Sequence, residues 1–182
     1  MDDVRQVALD GGRALLVRPA HRDDVADLEH LYAGLDVEDR FRRFFSAYRP
    51  DRAFFEHMAD AAARGDVQLV AVITQPDGRD ELVGEAGYAV LPNGDGELAI
   101  TVAKPWRGWL GPFLLDALVE AAAARGIPNL EADVLATNQP MLALTRARRA
   151  VRMKGCDWSI VRTLIATGAA ARAGGACAPR QP

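Results

Sequence analysis

The 182 residues contain little that would serve cysteine, metal or membrane chemistry. The only cysteines, Cys156 and Cys177, have no metal-type spacing, and the second lies in a tail poor in core-forming residues. A disulfide-free, cytoplasmic protein is therefore expected. His21, His30 and His57 are scattered over expected helices without ligand spacing, so no metal site is expected. No apolar run approaches the roughly 20 residues that span a bilayer. The opening "MDDVRQVALDGG" is acidic where a leader would be basic. Membrane insertion and secretion are both disfavoured. A dominant charge is missing too: 22 Lys and Arg face 25 Asp and Glu, with a net charge of -3 and a pI near 5.6. A nucleic acid held by a broad basic field does not fit that balance. No internal repeat is present.

What remains is ordinary globular composition, 49% hydrophobic and 26% charged, in a length suited to one domain. "ALLVRP" (Ala14 to Pro19) reads as a strand stopped by proline. "HRDDVADLEHLYAGL" carries Val25, Leu28, Leu31, Tyr32 and Leu35 at helical spacing, with Asp23 and Asp24 at its positive end. Second and third helices are expected over Asp36 to Phe45 and Asp51 to Gly65, the latter capped by Asp51. Strands follow at Val67 to Gln75, Glu81 to Leu91 and Glu97 to Val102. The turn sequences "PDGRD" and "PNGDG" join them into an antiparallel meander. A helix from Pro112 to Arg125, a strand from Asn129 to Leu135, a helix over "TNQPMLALTRARRA" and a strand from Asp157 to Ile165 complete the order. Residues 1–13 read as a flexible N-terminus, 14–165 as a single domain and 166–182 as a disordered Ala/Gly-rich tail.

The informative junction is "ELAITVAKPWRGWLGPFLLDAL", where "KPWRGWLG" separates a strand from a helix. Helix-start amides lack intrahelical acceptors, the dipole is positive there, glycines permit close approach and Arg107 adds a charge. A phosphate or pyrophosphate suits such a cradle. The alternative is a plain tight turn with Arg107 in solvent.

Strand, Arg-Gly loop, amphipathic helix, strand and Asn-capped helix together resemble the coenzyme A-binding core of the GNAT superfamily of N-acyltransferases. The N-terminal pieces "LVRPAHRDDVADLEHLYAGLDVEDRFRRFF" and "ELVGEAGYAV" resemble the acetyltransferase domain of bacterial protein-lysine acetyltransferases of the Pat type. The likeness runs from about Leu16 to Ile165. It implies an α/β layered fold: a mixed sheet with N-terminal helices, an antiparallel meander and a β-α-β-α-β half that holds acetyl-CoA. It further implies that Ile100, Thr101 and Val102 pair with the pantetheine arm. Arg107, Gly108, Trp109, Leu110 and Gly111 would face the pyrophosphate, with Asn138 joining the coenzyme site. Glu97 matches the family's catalytic glutamate and would accept a proton from the attacking amine; in "ELAITV" it shares a face with Ala99 and Thr101.

Two departures stand out. "RGWLG" is one residue shorter than the family loop, with Trp109 in place of its middle glycine and Pro112 removing an N–H. Thr145 stands where many members carry the tyrosine that protonates the thiolate. "RARRAVRMKG" (Arg146 to Gly155) reads as a basic helix end, solvated or attracting a 3′-phosphate. Phe41, Phe44 and Phe45 read as a core stripe, and the likeness brings Arg40, Arg42 and Arg43 near the substrate cleft. No activated cysteine or serine is evident, so direct attack is expected. The acceptor is a small amine or a protein lysine, and a homodimer is an open assembly state. The competing expectations are a GNAT-like acyl-CoA-binding regulatory module with little turnover, and a protein using the fold only for association.

Overall fold

The structure, a computed structural model, describes residues 4–153 and 159–168. Its eight strands are β1 (Arg5–Leu9), β2 (Arg13–Pro19), β3 (Val67–Thr74), β4 (Asp80–Val90), β5 (Gly96–Val102), β6 (Asn129–Leu135), β7 (Val151–Met153) and β8 (Ile160–Ala166). They form one sheet in the order β1-β2-β3-β4-β5-β6-β8-β7. Each neighbouring pair is antiparallel except β5 and β6, which run parallel. Helices α1 (Val25–Ala33), α2 (Val37–Phe44) and α3 (Arg52–Ala59) follow β2; α4 (Leu110–Ala124) joins β5 to β6, and α5 (Gln139–Ala147) follows β6.

Both faces of the sheet are covered, which is why β3 reads as an almost unbroken apolar run. Its residues alternate between two cores with the strand period of two. Leu69, Ala71 and Ile73 join Leu98 and Val102 of β5 under Leu110, Leu114 and Leu118 of α4. Val70 and Val72 turn the other way, against Val25, Leu28 and Tyr32 of α1 and Phe55 and Met58 of α3. Leucines four apart put one stripe of α4 on the sheet, and Leu110, Leu114 and Leu118 have no exposed surface.

Helix starts follow their capping residues. The Asp36 carboxylate accepts from Asp39 N at 2.8 Å, Asp51 from Phe54 N at 3.1 Å and Asn138 from Met141 N at 3.3 Å. Helix α4 departs from expectation: it begins at Leu110, two residues before Pro112. The proline sits in the first turn, where its missing N–H would have had no intrahelical partner.

Other expectations also change. Residues 5–9, expected to be flexible, form β1, which pairs with β2 from Arg5–Val17 to Leu9–Arg13. The third helix ends at Ala59 and continues as a separate 3-10 turn over Ala61–Arg64 before Gly65. The basic segment after Thr145 is not one helix end. Helix α5 stops at Ala147, Arg149 takes a left-handed φ of 58°, and the chain returns as strand β7. Asp157, Cys156 and the tail beyond Gly168 lie outside the described residues. Among the described residues, no helix is long and apolar enough to cross a membrane.

Candidate active site

The cleft originates in the single parallel pairing. Strands β5 and β6 meet only at Gly96–Leu130 and Glu97–Glu131, then diverge. Gly96 sits at this apex because the strands approach too closely for a side chain: a Cβ there would lie 2.8 Å from Leu130 Cδ2 and 3.0 Å from the Tyr88 ring. Beyond the apex, half of the β5 backbone has no strand to bond. Ala103 N donates to Val83 O at 2.8 Å, which fixes the parity of the ladder. Residues 97, 99 and 101 direct their amides and carbonyls to β4; Leu98 turns to β6, its N–H closing the Glu97–Glu131 pairing, so that the Leu98 carbonyl and the groups of Ile100 and Val102 face the gap. Unpaired main-chain groups lining a gap are a template for an extended, amide-bearing ligand.

The gap is part of a cleft of about 1060 Å³, walled by α2, α3, β3, β4, β5, β6, α5 and the loop before α4. At one end stand the first-turn amides of α4, with Gly108 at a left-handed φ of 100° and Gly111 on the cleft wall. Arg107 is already engaged: its Nε donates to Val102 O at 3.0 Å. Its Nη2 lies 3.0 Å from Asp39 Oδ2, in an ion pair whose N–H is not aimed at the oxygen. Lys104 Nζ reaches Asp36 at 2.6 Å and approaches Asp39 at 4.0 Å. Lys104, ahead of the Asp39 backbone N–H, holds the Asp36 carboxyl down to about 2.

On the opposite face of β5 lies a buried polar cluster that joins five elements. Glu85 of β4 has no exposed surface. Its Oε1 accepts from the Tyr32 hydroxyl at 2.8 Å and its Oε2 from Gln68 Nε2 at 2.6 Å. Thr101 Oγ1 donates to the Tyr32 oxygen at 3.2 Å. Arg43 of α2 brings Nε to 3.9 Å from Glu85 Oε1, too far for a hydrogen bond. Burial, and then the neighbouring Glu85, push the Tyr32 phenol well above its ordinary range. Tyr32 therefore acts here as a neutral donor.

Glu97 is at the apex on this same face, exposed and lining the cleft. Among the described residues its carboxylate meets no hydrogen-bond donor and no cation within 4.0 Å. A carboxylate left without a partner in a cleft is available for a proton or a cation.

A family model described as the acetyltransferase (GNAT) family matches residues 34–148, more than half of the chain. The chain belongs to the GNAT acetyltransferase family. The GNAT domain of S. lividans PAT superposes with a TM-score of 0.77 at 23% identity, over 90% of this chain and 97% of that one. The yncA protein of Salmonella typhimurium, solved with acetyl-CoA, gives 0.69 at 15%, over 92% and 99%. A phosphinothricin acetyltransferase of Sinorhizobium meliloti, solved with acetyl-CoA, gives 0.66 at 19%, over 81% and 85%. At such identities the likeness establishes the α/β GNAT fold; the family model makes acetyl transfer the activity of the family.

Within this GNAT domain the expected site residues divide. Glu97, Ile100, Thr101, Val102, Arg107, Gly108, Gly111 and Asn138 all line one cleft. Thr101 is corrected, since its backbone faces β4 and Leu98 takes its place beside Ile100. Val102 offers less than expected, its carbonyl being occupied by Arg107. Leu110 is a core side chain with no exposed surface. Trp109 packs edge-on against Trp106, with ring centroids 6.3 Å apart, and stays 41% exposed; neither side chain is part of the cleft wall. Thr145 is buried and donates to Leu142 O at 3.2 Å, so its hydroxyl is turned back into α5. Of the expected phenylalanine stripe, Phe44 packs inward while Phe41 and Phe45 stay 44% and 40% exposed. Glu85 and Asp39 were missed. An acid in the middle of "LVGEAGYAV" was the available signal for Glu85, because a strand buried on both faces carries a charge only with a partner.

Proposed function

We propose that this protein moves an acetyl group from acetyl-CoA to a primary amine by direct attack, with Glu97 as general base. The observation that carries the reading is the unpartnered Glu97 carboxylate at the apex of the β5–β6 gap, beside backbone groups that have no strand to bond. The residues present fit the coenzyme: Leu98 and Ile100 would hold its pantetheine amides, and Gly108, Gly111 and Arg107 its pyrophosphate. Acetyl-CoA supplies an acyl group activated as a thioester.

The acceptor arrives as an ammonium. With a pKa near 10.4, only about one amine in a few thousand is neutral at pH 7. Glu97 takes its proton, directly or through one water, a contribution of ~10²–10⁴-fold. The amine nitrogen then bonds to the acetyl carbonyl carbon, the C–S bond breaks with its electron pair going to sulfur, and the second nitrogen proton passes to the departing thiolate or to water, leaving a neutral amide. Thr145 is turned away, so no side-chain acid is assigned to the thiolate. A leaving group with an ordinary thiol pKa near 8.5 departs tolerably without one.

The test is Glu97→Gln, with released thiol followed on a panel of amines. The expected loss is about 10²–10⁴-fold in kcat, with acetyl-CoA affinity within about threefold of the native value. Equal turnover in both proteins would remove Glu97 from the mechanism. The buried Thr145 favours a second reading, a coenzyme-binding regulatory module without turnover. Acetyl-CoA binding with no thiol release on any amine would decide for it.

A further inference from the structure

The cleft holds a second charged group whose partner is incomplete. Most cations on its walls are matched: Arg42 with Glu38, Arg64 with Asp66, Arg107 with Asp39 and Arg148 with Asp116. Arg43 is different. Its one carboxylate neighbour, Glu85, is at 3.9 Å, and both Glu85 oxygens are engaged by Tyr32 and Gln68. Its Nε is buried without a hydrogen-bond partner, yet the side chain keeps 23% exposure on the cleft. Burial opposes its charge, but Tyr32, Glu85 and Glu97 more than offset that and raise its pKa. Glu97 and Arg43 line the same cleft. The acceptor side therefore presents one carboxylate and one guanidinium with unused capacity, in a single cleft. Beside them run Phe45, Phe54 and Met58, an apolar wall.

We propose that the acceptor is a free amino acid with an apolar side chain, its ammonium at Glu97, its carboxylate at Arg43 and its side chain against Phe54 and Met58. This rests on the acetyl-transfer reading above and narrows its substrate class. A lysine side chain in a protein has no carboxylate beside its ammonium and would leave Arg43 unmatched. A guanidinium matches a planar carboxylate with paired donors. Acetylation removes the positive charge that Glu97 recognises, and once Glu97 has given up the proton it took, the anionic product meets repulsion at the apex and is released.

The test uses the full chain with saturating acetyl-CoA. Phenylalanine, leucine and methionine are each compared with the amine obtained by removing the carboxylate, alongside an N-terminally blocked lysine peptide. Product is identified by mass and rate by released thiol. In the native protein kcat/KM should favour the amino acid over its amine by on the order of 100-fold, the worth of a charge-assisted pair of hydrogen bonds. Arg43→Gln should collapse that ratio toward one, and Arg43→Lys should retain part of it. A native ratio near one, no acetylated amino acid, a preferred lysine peptide, or a ratio unchanged in Arg43→Gln would each overturn the proposal. Should Arg43→Gln fail to fold, the native ratio and Arg43→Lys still decide. Turnover of amines or peptide alone sinks only this inference. Absence of any acetyl-CoA binding by titration calorimetry sinks the acetyl-transfer reading beneath it.

Discussion

Asp39→Asn probes how the coenzyme end of the cleft is held before ligand arrives. Asp39 is 7% exposed and lies 3.0 Å from Arg107, 3.9 Å from Arg42 and 4.0 Å from Lys104. If Arg107 serves a pyrophosphate, the ligand must draw it from Asp39. The Arg107 side chain is 38% exposed and its N–H is not aimed at the carboxylate. Screening therefore limits the pair to about 0.2–1 kcal/mol. Removing the carboxylate while keeping its shape should thus tighten acetyl-CoA by about 1.4–5-fold, at 1.4 kcal/mol per decade. Titration calorimetry of native and Asp39→Asn proteins at low and moderate salt measures this, with the gain shrinking as salt rises. Arg107→Ala should act oppositely, weakening binding about tenfold or more. Unchanged or weaker binding in Asp39→Asn would refute the idea that Arg107 is shared between the acid and the ligand.

Glu85→Leu should destabilise by about 3–5 kcal/mol, because Arg43 is left without an anion and Tyr32 without its acceptor. At about 2–4 °C per kcal/mol that is roughly 6–20 °C in Tm, with partial recovery on adding Arg43→Met; a shift under 2 °C would discount the cluster. Gly96→Ala should lower stability by about 1–3 kcal/mol, since Leu130 and Tyr88 must move aside; a native-like melt would mean that the apex is not tight. Acid should weaken the fold as pH falls below about 4. Asp24, held down by Arg18 although burial opposes its charge, and Asp133, held down by Arg162, both have folded pKa values below their unfolded ones. Their stabilisation is complete above about pH 4 and is lost as pH falls through the folded values. Melting scans from pH 7 to pH 3 should steepen at the acid end, and Asp24→Asn should flatten that slope.

Much of the fold was legible because local rules were consistent with one another. Short apolar runs, alternating in β6 and nearly continuous in β3, marked β2 to β6, Pro-Asp-Gly and Pro-Asn-Gly turns joined the meander, and Asp36, Asp51 and Asn138 capped the helices they precede. Strand β1 was overlooked although "LDGGR" carries a hairpin turn signal; its few, half-exposed apolar residues gave no core pattern. Strand β7 was hidden because its three residues follow a run of arginines continuous with a helix. Pro112 misplaced a helix start, since proline is tolerated anywhere in the first turn.

For the site, the order of strand, Arg-Gly junction and helix carried the resemblance to the GNAT family, and it was that resemblance that joined Glu97 and the small face of β5 to the junction. Tertiary structure decided what those residues can do. Which backbone groups of β5 are free depends on where β6 stops pairing with it, a long-range distance no local pattern encodes. That Arg107 is held by Asp39, and that Arg43 meets a fully engaged Glu85, depends on α2 packing against β5 in the middle of the sheet. Partnership of charges is a property of packing, and whether a carboxylate or guanidinium in a cleft is satisfied or available follows from that alone.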